Sequence, residues 1–319
     1  MQYEPATYDP AEYDATRQGL FLPETRPPYG LYSSGDAWPE DAICAEFARL
    51  AYVRFDEGDE ARLNEAMKKA GYGEPECFQS PKPEKTGRFL GLLWRRAKSG
   101  RRAWDAQAFG AVNGEGTIMI VFRGTQADKK RDLLVDALAF PCRGDGKGWV
   151  HYGFWASFSE LRPKIEDWLS KQSGRRLIVT GHSLGAAIAT LMAAPHERAE
   201  LVTFGSPRVG TRGFVAQFSG REVRRYVDCC DVVTSVPPPI GYLHVTKMIY
   251  IDRRGKAHDP APALPLRLVD RVIARMGYIG KYMFGTGNVR LRMLADHTPM
   301  NYVSAVRGVR KTPAPVRRG

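Results

Sequence analysis

Residues 176–192 hold a strand-like run, a sharp five-residue turn and an apolar helix-like run with no linker between them. The run Arg176-Leu177-Ile178-Val179-Thr180 leads into Gly181-His182-Ser183-Leu184-Gly185, and Ala186-Ala187-Ile188-Ala189-Thr190-Leu191-Met192 follows at once. A strand that turns straight into a helix brings two backbones together at the turn, so the positions two before and two after the serine must lack a Cβ. The serine hydroxyl is then lifted above a sheet. The amide of Leu184, in the first helical turn, points to where negative charge gathers on an attacked carbonyl. The pattern makes Ser183 a candidate nucleophile and demands a sheet with a helix packed on it.

Elements of the same kind recur along the chain. Thr117–Phe122 is an uncharged, β-branched run suited to a strand buried on both faces. Residues 153–170 read as a helix placing Phe154, Phe158, Leu161, Ile165 and Leu169 on one side, and strands are predicted over 176–180, 199–204 and 223–227, with a helix over 184–194. This alternation is the sequence appearance of an α/β sheet with covering helices. Upstream, helices fit residues 39–54 and 59–70, the second stopping before Gly71 and Gly73. Residues 1–38, rich in Tyr, Pro and acids, read as an irregular arm. Downstream, a hairpin-like strand is predicted over 244–252. An amphipathic helix follows over 264–283, bent near Gly277 and Gly280, with Val269, Val272, Ile273, Met276 and Ile279 on one side. That side is expected to pack on the sheet, the alternative being contact with a bilayer.

Charge is divided unevenly. Residues 1–90 carry 10 Lys+Arg against 17 Asp+Glu, net −7, while residues 91–319 carry 37 against 18, net +19. A basic part of this size attracts nucleic acid, an anionic membrane or an anionic substrate. Nucleic acid is not expected, because Trp94 with Arg95, Arg96, Lys98, Arg101 and Arg102 stands apart from any reader motif. Cys44, Cys77, Cys142, Cys229 and Cys230 are odd in number and lack metal-binding spacing, so reduced thiols are expected, with Cys229 and Cys230 at the end of a buried strand. Residues 1–30 contain Glu4, Asp9, Glu12, Asp14 and Glu24 and no apolar core of a secretory signal, and no run of about 18 apolar residues spans a membrane. A cytoplasmic location is the expectation, with export by a signal-independent route as the alternative.

A serine needs a histidine to take its proton and a carboxylate to orient that histidine. Of six histidines, His182 and His196 belong to the turn–helix unit and His151 lies upstream. The chain order serine, acid, histidine leaves His244, His258 and His297. Asp231, beyond the strand at 223–227 and before Val232-Val233, is the best acid, with Asp228 its rival.

Five separated segments resemble the fungal-type triacylglycerol lipase family, the class 3 lipases. They are Ile120-Val121-Phe122-Arg123-Gly124-Thr125; Val150-His151-Tyr152-Gly153-Phe154; the serine turn; Val202-Thr203-Phe204-Gly205-Ser206-Pro207-Arg208-Val209-Gly210; and Arg225-Tyr226-Val227-Asp228-Cys229-Cys230-Asp231-Val232-Val233 with its Pro237-Pro238 continuation. The resemblance implies an α/β-hydrolase fold: a mostly parallel central sheet with helices on both faces, here with an additional N-terminal helical region. It implies Ser183 as nucleophile, Asp231 as acid and His297, in Asp296-His297-Thr298-Pro299, as base. Asp228 becomes structural and His244 non-catalytic. The backbone amides of Thr125 and Leu184 form the oxyanion hole, and no metal or organic cofactor is needed.

The implied activity is hydrolysis of lipid carboxylic esters through an acyl-enzyme, with a phospholipase A or lysophospholipase as the alternative. A protease, or a basic binding module without activity, is the remoter reading. The family's lid position falls on residues 126–136, where Asp128, Lys129, Lys130 and Arg131 make the stretch more polar than an interfacial lid. The expected organisation is an N-terminal extension over 1–100, a catalytic core over 101–305 and a basic flexible tail over 306–319. Expected partners are an ester substrate and peripheral contact with an anionic membrane.

Overall fold

The computed structural model describes residues 38–52, 60–80, 106–124, 140–174, 176–282 and 291–307. Most of the expected arm, the basic stretch around Trp94, Thr125 with the charged residues after it, and the tail beyond Arg307 lie outside them. In chain order the elements are α1 (Glu40–Leu50), α2 (Glu60–Lys69), β1 (Glu76–Gln79), β2 (Gln107–Val112), β3 (Thr117–Phe122), β4 (Pro141–Arg143) and β5 (Trp149–His151). Then come α3 (Tyr152–Ser170), β6 (Arg176–His182), α4 (Leu184–Ala193), β7 (Glu200–Phe204), α5 (Arg212–Val215) and β8 (Val223–Asp228). The chain continues through β9 (Ile249–Ile251), β10 (Ala257–His258), α6 (Leu264–Tyr282), α7 (Arg292–Ala295) and α8 (Pro299–Arg307).

Eight strands form one sheet in the order β1-β2-β3-β6-β7-β8-β9-β10. Its centre, β3 through β9, is parallel; β1, β2 and β10 pair antiparallel at the edges. This is the α/β-hydrolase arrangement.

The apolar runs of the central strands are continuous because both sheet faces are covered. Along β3, Ile118, Ile120 and Phe122 enter a core with Phe154, Phe158 and Leu161 of α3 and with Ala187, Ile188 and Leu191 of α4. Met119 and Val121 point the other way, into a second core with Phe47 and Leu50 of α1, Leu63 and Met67 of α2, and Tyr302 and Val303 of α8. The N-terminal helices therefore complete one of the two layers on the sheet. Helix α1 is held at its start as well. Glu40 and Asp41, in its first turn where the helix dipole favours anions, meet Arg176 and Arg224 from the ends of β6 and β8. At the far end of the chain, the Arg307 guanidinium lies 4.2 Å over the Trp38 ring.

Three expectations need correction. The strand predicted over 244–252 is confined to Ile249–Ile251, because the preceding residues bind elsewhere: Leu243 N donates to Gly210 O and the His244 ring bonds to Thr234 O. Cys229 and Cys230 sit in the turn after β8, as two of five free thiols. Helix α6 runs through Gly277 without interruption, and its apolar side faces away from the sheet. Asp270, Ala274 and Tyr278 are buried, whereas Leu266, Val272 and Met276 are 65%, 55% and 70% exposed.

If α1 is part of the core, truncating its central ring must cost as much as a cavity in the sheet. Phe47 is fully buried and meets Tyr72 and Phe109 edge-on at 5.4 and 6.1 Å. The Phe47→Ala protein is expected to lose about 3–5 kcal/mol in urea unfolding, with an unchanged m-value.

Candidate active site

The turn between β6 and α4 is as tight as its glycines require. A Cβ on Gly181 would lie 2.5 Å from the Gly185 carbonyl carbon, and one on Gly185 would strike the Phe122 carbonyl at the end of β3. Ser183 carries the bend with φ 60° and ψ −127°, and among the described residues no other non-glycine has a positive φ. Such a conformation costs about 1–3 kcal/mol and persists only where the surroundings enforce it. Here the Ser183 amide donates to Phe204 O of β7 at 3.0 Å, and its carbonyl accepts from Ala186 N at 3.0 Å.

The structure brings Ser183, His297 and Asp231 into one line. His297 Nε2 lies 2.8 Å from Ser183 Oγ, and His297 Nδ1 lies 2.9 Å from Asp231 Oδ2. A carboxylate oxygen only accepts, so Nδ1 carries the proton and Nε2 is left to accept from the serine. Asp231 is fixed by two further donors: the Tyr302 hydroxyl at 2.5 Å on Oδ2 and the Val233 amide at 2.8 Å on Oδ1. All three triad side chains are buried. Leu184 opens α4 and has no intrahelical acceptor for its amide, which leaves that donor for an oxyanion. Thr125, the expected second donor, lies outside the described residues. Gly124, its neighbour in sequence, packs against Ser183: a Cβ there would lie 3.1 Å from the Ser183 Cβ.

The rivals are accounted for. Asp228 is buried and accepts from Cys229 N at 2.6 Å; burial, reinforced by nearby Asp296, pushes its pKa well up. His244 bonds to Thr234 O at 3.0 Å, and burial together with Arg225 and Arg208 lowers its pKa to about 2. It is a neutral structural imidazole. His258 meets Asp252 on a hairpin, His196 meets Glu166, and His151 stacks on Phe154.

Several supporting residues were not assigned from the sequence. Tyr302 is one of them: besides donating to Asp231, its hydroxyl accepts from the Asp228 amide at 3.1 Å and so spans both aspartates. Gly205, with φ 60°, passes under the acid–base pair, where a Cβ would lie 2.8 Å from Asp231 Oδ2 and 3.2 Å from His297. His182 lies 2.9 Å from the His297 carbonyl through Nε2 and 2.9 Å from the Tyr52 hydroxyl through Nδ1. The carbonyl can only accept, so Nε2 is the protonated nitrogen and Tyr52 donates to Nδ1. Asp296 accepts from Cys230 N and Arg292 Nε, each at 3.1 Å, which ties the residue before the base to the residue before the acid. Cys229, Cys230 and Asp296 are a set of metal-capable donors, but the Arg292 guanidinium already meets that carboxylate and approaches Cys229 Sγ at 3.8 Å, so a cation is in place there.

The sheet order, the strained serine and the linear serine–histidine–aspartate arrangement are those of the α/β-hydrolase fold. Residues 119–240 match the family model described as lipase (class 3). A lipase from Rhizomucor miehei is 33% identical over 157 residues, 44% of this chain and 43% of that protein. The chloroplastic phospholipase A(1) DAD1 from Arabidopsis thaliana is 50% identical over 153 residues, 39% of this chain and 34% of that protein. Among solved structures, lipase II from Rhizopus niveus superposes with a TM-score of 0.51 at 25% identity, covering 66% of this chain and 79% of that one. The chain spans less than half the length of the curated relatives it matches.

Two outcomes follow from the geometry. Gly205→Ala should separate the acid from the base, and the low-field Nδ1 proton resonance of His297 is then lost while circular dichroism is unchanged. His244 has a folded pKa below its ordinary value of 6.5, so the unfolded state binds the extra proton. The stability it confers is complete above about pH 6.5 and declines as pH falls toward 2. Urea titrations between neutral and mildly acid pH should show a shallower decline for His244→Gln than for the wild type.

Proposed function

We propose that the chain is a serine carboxylic-ester hydrolase acting on lipid esters. The observation that carries this is His297, hydrogen bonded to Ser183 on one side and to Asp231 on the other. In the reaction His297 Nε2 takes the hydroxyl proton as Ser183 Oγ attacks the ester carbonyl, and Asp231 stabilises the imidazolium. The tetrahedral oxygen is met by the Leu184 amide and, on the family pattern, by that of Thr125. Collapse expels the alcohol with the proton held on Nε2 and leaves an acyl-serine. His297 then deprotonates water, whose attack releases the acid and restores the serine.

The class 3 lipase core and the lipases among its relatives support an ester of a lipid as substrate. A second reading, hydrolysis of a phospholipid acyl ester, is favoured by the Arabidopsis relative, which is named a phospholipase A(1) and is 50% identical where it aligns. Either substrate is met at an assembly of lipids, and the basic portion of the chain supports peripheral contact with an anionic one.

Ser183→Ala is expected to lower turnover of short and long acyl esters by about 10³-fold or more, with folding intact. Running this pair on defined triacylglycerol, phosphatidylglycerol and phosphatidylethanolamine dispersions separates the two substrates by their products. Ester turnover retained by Ser183→Ala would overturn the assignment.

A further inference from the structure

Helix α6 is mounted the reverse of an ordinary surface helix. A helix on a globular domain turns its apolar stripe to the core and its polar face to water. Here the inward face repeats at every fourth residue as Asp270, Ala274 and Tyr278, which are 8%, 2% and 4% exposed. Its anchor is polar: Asp270 accepts from the Tyr250 hydroxyl and Arg253 N, both at 3.0 Å, and meets the Arg253 guanidinium at 2.6 Å.

The opposite face carries Leu268, Val269, Val272, Ile273, Met276 and Ile279, all exposed by 46–70%. At 100° per residue these six occupy an arc of about 140°, centred away from the protein. Arg275, exposed, borders that arc and Arg271 stands next to it, whereas Arg267 lies on the inward side against Met248; Asp270, already bound, is the helix's single acid.

We propose that the outward face of α6 docks the protein on an anionic lipid surface, the helix lying in the plane of the interface. This deepens the reading given above and rests on it. Two observations favour a bilayer over a protein partner. A wide aliphatic arc with Arg275 at its border and Arg271 beside it complements acyl chains beneath negative headgroups. The residues following position 90 carry net +19, so the same sign of charge extends beyond the helix.

The helix also adjoins the triad's supports. The Arg271 carbonyl accepts from Cys230 Sγ at 3.7 Å, one residue before Asp231, and α7, just ahead of His297, packs on α6. Docking would hold the acid and base loops beside the surface that supplies the ester.

The test is sedimentation of the full chain, in its Ser183→Ala form so that lipid is not consumed, with vesicles of phosphatidylcholine alone or mixed with phosphatidylglycerol. Binding to the mixed vesicles is expected. It should fall about tenfold or more in a Val272→Asp/Met276→Asp variant and about fivefold in Arg275→Gln. Both variants alter exposed positions, so they should keep the circular dichroism of the parent and, with Ser183 restored, its turnover of a soluble short-chain ester. Absence of vesicle binding, or equal binding by the aspartate variant, would overturn the proposal. So would concentration-dependent dimerisation abolished by the same substitutions without any vesicle binding, which would assign the face to a second copy. Lost ester turnover in the Ser183 protein with vesicle binding intact would instead count against the catalytic reading alone.

Discussion

The meeting of three backbones at the elbow is the constraint from which the rest of the site follows. Gly185 rests on the Phe122 carbonyl, Gly181 on Gly185, and Ser183 is tied to Phe204, so β3, β6, β7 and α4 converge on one residue. A side chain at either glycine would drive the helix off the sheet. With both in place, the strained φ of Ser183 is cheaper than any relaxation, and the hydroxyl stands at the carboxyl ends of the parallel strands. The acid arrives just past the end of β8 and the base just before α8, so neighbouring strand ends and loops supply what the elbow lacks.

What keeps these pieces in register is a layer of polar contacts behind the triad. Tyr302 bridges Asp228 and Asp231, Asp296 links the two loops that carry acid and base, and His182 joins the base's carbonyl to Tyr52 at the end of the first helix. Burial gives these bonds their value, since each would cost a desolvated polar group if broken. The N-terminal helices thereby enter the catalytic architecture twice: through the apolar layer around Phe47 and through the Tyr52 hydroxyl.

The central layer was legible in the sequence because its signals are local. The run that became β3 is uncharged along its whole length and those of β6 and β7 past their first residues, as strands covered on both faces must be, and the glycine spacing around Ser183 specifies a turn of one shape. Position alone favoured Asp231 over Asp228, but the base was separable from His244 only through the family resemblance, for burial decides these groups' states and a sequence does not display burial. Tyr52 and Gly205 were invisible in those roles: the partner of one lies 130 residues away, and those of the other, Asp231 and His297, sit on loops after other elements. The orientation of α6 was misread for a related reason. Periodicity shows that a helix has two faces, but the buried Asp270 bonds that decide which one turns inward are made to Tyr250 and Arg253, outside the helix.

The separation of the base from the nucleophile has a consequence for biosynthesis. Ser183 leaves the ribosome 114 residues ahead of His297, and the matched core over 119–240 holds the nucleophile and the acid without the base. A nascent chain therefore carries the serine without this histidine until those 114 residues have been added. The line from Ser183 through His297 to Asp231 closes only when the segment that carries the base, with α8 behind it, packs onto α1, so a chain that stops before His297 has the elbow and the acid without the partner that joins them.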